Sequence, residues 1–108
     1  MIYELRTYSV MPGRFPDLHK RFAEVTIGYF RKYGIQVVAF WTNDIGGSSD
    51  QLIYLLGYES LADREKKWEA FMIDPERRAI FAETEKNGPL LRRAMVQVLR
   101  PTPYSPMQ

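Results

Sequence analysis

The chain of 108 residues contains no cysteine and only one histidine, His19. The first absence excludes disulfides, thiol nucleophiles and thiolate metal sites, and it suits a reducing compartment; the cytoplasm is the expected location. The second leaves a zinc site without its usual nitrogen and sulfur ligands, so no metal is expected. No apolar run approaches the roughly 18 residues of a membrane span, so no membrane insertion is expected. The opening is not expected to be a targeting segment, because Glu4 and Arg6 interrupt any apolar core that a signal peptide would need. Also missing is a long run of one charge sign. The net charge is +2, but in DREKKWE and PERRAIFAETEK the bases alternate with acids, a solvated face rather than a phosphate track. Nucleic acid is therefore not an expected partner. There is no G-x-S-x-G, and GGSS at Gly46 to Ser49 lies between two strands and lacks the lysine of a phosphate loop; a flexible connection is the simpler reading.

What is present is strong periodicity. In IYELRTYSV, Ile2, Glu4, Arg6 and Tyr8 alternate with Tyr3, Leu5, Thr7 and Ser9, the pattern of a strand with two distinct faces. Pro12-Gly13 ends it. Phe15, Leu18, Phe22, Val25, Tyr29 and Tyr33 then recur at helical spacing, with Pro16 and Asp17 suited to the first turn and Gly34 to a left-handed cap. IQVVAFWT and LIYLLGY read as two strands apolar on both faces. In the first, Val37, Ala39 and Trp41 are expected opposite Val38 and Phe40. Ser60 with Asp63 resembles a capping box that opens the helix LADREKKWEAFMID. Pro75 breaks that helix and begins another, and LRRAMVQVLR is the last strand before a proline-punctuated tail at 101–108.

The order β-α-β-β-α-β predicts a single ferredoxin-like α+β domain, with helices on one face of a four-stranded antiparallel sheet. In a monomer the other face would be wet and should read as polar. Because the second and third strands are apolar on both sides, a second copy is the expected cover, giving a homodimer through the sheet faces, a dimeric α+β barrel. With Tyr3 and Leu5 on the helices, Ile2, Glu4, Arg6 and Tyr8 would face the sheet-on-sheet interior. Glu4 and Arg6 then make sense only as a mutually neutralising pair, because either charge buried alone is costly. The alternatives are an exposed ion pair and a buried pair that only fixes dimer register.

These segments resemble the NIPSNAP family of the dimeric α+β barrel superfamily. YELRTYSVMPG is similar to the family's first strand and turn, and Gly34 and Trp41 to positions bounding its second strand. Ser60, Arg64 and Trp68 match the second helix, Asp74-Pro75-Glu76 the break after it, and LRPTPYSP the closing segment. One departure is visible: where relatives are expected to carry an aromatic soon after Asp-Pro, this chain has Arg77 and Arg78. The resemblance implies fold and dimerisation more firmly than activity. The wider superfamily includes cofactor-free monooxygenases, lactone isomerases and haem-handling proteins, so an enzyme follows by fold analogy only.

No catalytic residue is assigned from the sequence. The ligand-binding candidates are Glu4, Arg6 and Tyr8 on the first strand, with Trp41, Tyr54, Arg64 and Trp68 as a pocket wall. Aromatic strand residues normally pack as core, and a helix arginine normally faces water, so each has a plainer reading beside it. Arg64, four residues before Trp68, is placed to stack on the indole or to reach a carboxylate or enolate. His19 lies off the apolar stripe and reads as a surface histidine. Two functions remain open. One is a small-molecule-binding barrel, extending to a cofactor-free oxygenase or isomerase acting on an apolar carbonyl-bearing metabolite. The other is a non-catalytic protein-interaction module.

Overall fold

Alternating side chains on β1 (Ile2–Val10) set the two faces of the sheet. The computed structural model describes all 108 residues. β1 is followed by α1 (Phe15–Arg21) and α2 (Ile27–Lys32), then β2 (Gln36–Thr42), β3 (Gln51–Tyr58), α3 (Leu61–Ile73), α4 (Pro75–Thr84) and β4 (Leu91–Leu99). The strands form one sheet in the order β2-β3-β1-β4, with every neighbouring pair antiparallel. This is the ferredoxin-like α+β arrangement expected from the sequence. Gly13 and Gly34 turn the chain at positive φ, 76° and 72°, where a side chain would strain the backbone. The Ser60 cap holds: its hydroxyl accepts from the Asp63 amide at 3.1 Å, and the Asp63 carboxylate accepts from the Glu59 amide at 3.0 Å.

Two one-residue insertions depart from the regular pattern. α1 and α2 form one rod, joined by a π-helical turn at Phe22–Thr26. It advances the inward stripe by one residue, so Thr26 and Phe30 are buried while Val25 and Tyr33 are only half-buried. In β2 the register slips between Val37 and Ala39. Val37, expected beside Ala39 and Trp41, instead pairs with Leu56 on the same side as Phe40 and Tyr54, and packs against the core.

The helices lie on the face that carries Leu52, Tyr54, Leu56 and Tyr58, all nearly inaccessible. By register, Ile2, Glu4, Arg6 and Tyr8 share that face. This reverses the expected polarity of β1. Tyr3, Leu5, Thr7 and Ser9 face the open side, and the Glu4–Arg6 pair belongs to the interior of the protomer, not to a sheet-on-sheet interior. Tyr8, Phe22, Phe40 and Tyr54 make the centre of the core, with Phe40 and Tyr54 stacked at 4.7 Å and Tyr54 edge-on to Tyr8 at 5.2 Å.

The helix layer is offset. α2 packs over β2 and α3 over β3, while β4 is left largely open to water. Ala94, Val96 and Val98 pair with Tyr8, Arg6 and Glu4 and share their face, yet stay exposed. On the opposite face, the tail folds back over one end of the sheet, where the Tyr3 hydroxyl donates to the Gln108 backbone carbonyl at 2.6 Å.

Candidate functional site

One polar cluster of the interior centres on Glu4, which is inaccessible to solvent. Its Oε1 accepts from Arg6 Nη1 at 3.1 Å, from Arg64 Nε at 3.1 Å and from Arg64 Nη2 at 2.6 Å. Oε2 takes a long contact of 3.4 Å from the Tyr58 hydroxyl. A carboxylate removed from water needs such donors, because an unpaired buried charge is far more costly than a paired one. The chain continues on the strand: Arg6 Nε donates to the Tyr8 hydroxyl at 3.1 Å, and that hydroxyl bonds the Tyr54 hydroxyl at 2.7 Å.

Helix α3 supplies the wall. Arg64 and Trp68 sit one turn apart, so both reach toward β1. Arg64 takes Glu4 and does not stack on Trp68; Arg6 occupies that place, with its Cζ 4.3 Å from the indole centroid. Of the candidates named from the sequence, Glu4, Arg6, Tyr8, Tyr54, Arg64 and Trp68 are thus brought together. Trp41 is not. It lies 49% exposed and borders a separate groove of about 320 Å³ that includes His19, Ile27, Phe40 and Leu52. His19 stacks on Phe15 at 4.6 Å.

The electrostatics fix protonation states. Burial pulls the Arg6 pKa down, but Tyr54, Tyr8 and Glu4 more than offset it, and the guanidinium stays charged. Burial, reinforced by Tyr8, pushes the Tyr54 hydroxyl well above its ordinary value. Burial and then the Glu4 charge raise Tyr58 in the same way. Tyr54 and Tyr58 are therefore neutral at physiological pH, and Tyr58 donates to Glu4. The group can hold and orient an oxygen-bearing molecule by charge and hydrogen bonds.

Three buried polar residues were not legible as candidates. Arg21 is buried, stacks on Phe81 at 4.1 Å and donates to Thr84 Oγ1 at 3.1 Å, while its Nε has no partner. Thr26, in the π turn, is buried with its hydroxyl unpartnered. Arg77, noticed only as a departure, is buried and donates to the Phe71 and Met72 carbonyls at 2.8 and 2.9 Å. It closes the C-terminal end of α3 while stacking on Phe71 and Phe81. An arginine here does what an aromatic alone would not.

Comparisons with known proteins agree with this architecture. The heme-degrader MhuD from Mycobacterium tuberculosis, solved with two hemes bound in its active site, superposes with a TM-score of 0.54 at 17% identity over 93% of this chain and 94% of its own, a likeness of fold alone. A NIPSNAP family protein from Agrobacterium tumefaciens superposes with a TM-score of 0.86 at 26% identity, covering 99% of this chain and 98% of the other. Protein NipSnap from Drosophila melanogaster is 33% identical over 107 residues, 99% of this chain but only 37% of that protein's length. The NIPSNAP family model matches residues 3–106. With almost its whole length matched by that model, the chain belongs to the NIPSNAP family.

Proposed function

We propose that the protein is a small-molecule-binding dimeric α+β barrel, with its ligand between the helix layer and β4. One observation carries this reading: a charged, hydrogen-bonded group at Glu4, Arg6 and Tyr8 lies beside an exposed strip of β4. Ala94, Val96 and Val98 are apolar and exposed next to it, and an apolar wall with a few convergent polar groups is the usual make-up of a ligand site. MhuD, of the same fold, holds its ligands in an active site. A heme is a poor fit here, because the side chains around Glu4 and Arg6 include no imidazole or thiol and the one histidine borders another groove. A carbonyl-bearing apolar metabolite fits the donors better, held for binding or for oxygenation or isomerisation without a cofactor.

The open face of the sheet supports pairing. Leu5, Ile53 and Leu55 lie on it half-buried, and Met95 and Leu99 are 50% and 41% exposed there. Two such faces in contact would bury apolar surface that a lone protomer leaves wet. The second reading, a non-catalytic protein-interaction module, draws on the 49% exposed Trp41 in its apolar groove.

Native mass spectrometry of the purified protein, before and after gentle denaturation, tests both. A dimer that releases a small molecule is the expected result. A dimer that carries nothing, and whose Trp41→Ser variant loses a protein partner, would favour the interaction module. Ile53→Arg should convert dimer to monomer in sedimentation; an unchanged profile would refute pairing through this face.

A further inference from the structure

The balance of charge around Glu4 is uneven. Two guanidinium groups share one carboxylate oxygen, and no other acid lies within 4.0 Å of either Arg6 or Arg64. The group therefore carries one surplus positive charge at a position where Arg6 is 8% exposed. A structural ion pair needs only one arginine. The second, Arg64, adds a charge with no counter-ion of its own, met by water only through a side chain 27% exposed.

The unused donors point the same way. A guanidinium presents five N–H groups. Arg6 uses Nε and Nη1, and Arg64 uses Nε and Nη2. Arg6 Nη2 and Arg64 Nη1 make no hydrogen bond, and neither is among the polar atoms sealed inside the protein. Trp68 holds the Arg6 plane from one side at 4.3 Å. Beyond it runs the apolar strip of Ala94, Val96 and Val98, with Val96 directly opposite Arg6 in the register.

We infer that the ligand of this group is a small organic monoanion, a carboxylate or enolate on an apolar body. Its charge sits on Arg6 and Arg64, and its body lies on Val96, Val98 and Trp68. This rests on the reading of the Glu4–Arg6 group as a ligand site and names the class of compound that it takes. The surplus is a single charge and Glu4 stands beside it, so a doubly charged phosphate would meet repulsion that a monoanion largely escapes. Paired N–H groups suit the two oxygens of a carboxylate, and the strip rewards an apolar body.

The test uses the full chain with Trp41→Phe, so that Trp68 is the only fluorescent indole. The probes are hexanoate and benzoate, their neutral amides hexanamide and benzamide, and inorganic phosphate. Hexanoate or benzoate should change Trp68 emission saturably, with the amides at least tenfold weaker and phosphate ineffective. Arg64→Gln should weaken carboxylate binding at least tenfold and leave the amide response unchanged. Val96→Asp, an exposed strand position where the fold is not at stake, should abolish it by placing a carboxylate of the protein beside Arg6.

If the amides bind as well as the acids, or if both variants bind as the parent does, the anion is refuted while the ligand site stands. Competition by phosphate at the affinity of benzoate would refute the apolar body. If no probe binds, the molecule released in native mass spectrometry decides: an organic monoanion upholds the inference and a neutral compound overturns it. If nothing is bound or released, the inference falls together with the reading beneath it.

Discussion

Replacing Glu4 with glutamine keeps the volume of the side chain and removes its charge. In the folded protein Oε1 accepts three N–H bonds from Arg6 and Arg64. The amide leaves both guanidinium groups without a counter-ion and, in one orientation, turns its own N–H₂ toward them. Removing one partner of a buried ion pair costs about 3–5 kcal/mol. The lower end applies, because the Arg64 side chain is 27% exposed and can swing into water, whereas Arg6 is held by Tyr8 and Trp68 and cannot. A loss of about 3 kcal/mol lowers the melting temperature of a domain this size by roughly 12–24 °C. Urea unfolding at fixed protein concentration measures it, because association would otherwise couple stability to concentration. The slope with urea should be unchanged while the midpoint falls. In the double variant Glu4→Gln/Arg64→Gln the two losses should fall short of additive, since the second removes a charge that the first has stranded. A loss below about 1 kcal/mol, the level of an exposed pair, would refute the claim that this carboxylate is the buried anchor of the site.

Two further predictions concern the helices. Asp74 is buried, and hydrogen bonds from the Tyr33 hydroxyl, the Arg77 amide and Lys32 hold its carboxyl below the usual range. A carboxyl lowered in the folded state adds stability above its ordinary pKa of about 3.9 and loses it as pH falls further. The urea midpoint of the parent should therefore drop steeply below about pH 4 and that of Asp74→Asn should be flatter; parallel curves would refute the assignment. Thr26→Val keeps the β-branched shape and removes an unpartnered buried hydroxyl, so urea unfolding should show stability unchanged or raised by about 1 kcal/mol. A loss of that size would mean that the hydroxyl makes a bond in solution.

The strands and helices were legible because their hydrophobic periods are long and their stops are chemical: Pro12-Gly13, Gly34, Ser60 and Pro75 each end or begin an element where expected. The direction in which β1 faces was not. Alternation divides its residues into two sets but leaves one binary choice, which set meets the helices. Both sets carry an aromatic and an aliphatic residue, Tyr8 with Ile2 and Tyr3 with Leu5. The presence of Glu4 and Arg6 suggested the wrong answer, because Arg64 and Trp68, which make their burial tolerable, lie some sixty residues away. The slip at Val37 and the π turn escaped for another reason. One added residue leaves local composition unaltered and shows only as a shift in which neighbours meet. Arg64 and Trp68 were placed on one helix face correctly, but which arginine covers the indole depended on that same choice of face. Arg77 lies in a stretch whose alternating charges read as a solvated face, and nothing local marks Arg21; Arg21 stacks on Phe81 of α4 and Arg77 on Phe71 of α3, contacts between helices that no local pattern records.

The π turn at Phe22–Thr26 works as a phase adjuster between two halves of one rod. Each residue of an α-helix advances the side-chain direction by about 100°, so one extra residue resets the angle at which everything beyond it meets the sheet. Without that residue α2 would keep its axis but roll, turning Phe30 away from its contact with Phe71 at 4.9 Å and Tyr29 away from its bond to Glu76 at 2.6 Å. The first half of the rod, anchored by Leu18 and Phe22, would not sense the change. The turn thus lets one continuous helix serve two partners with different angular demands, the aromatic centre of the sheet at one end and the α3–α4 corner at the other.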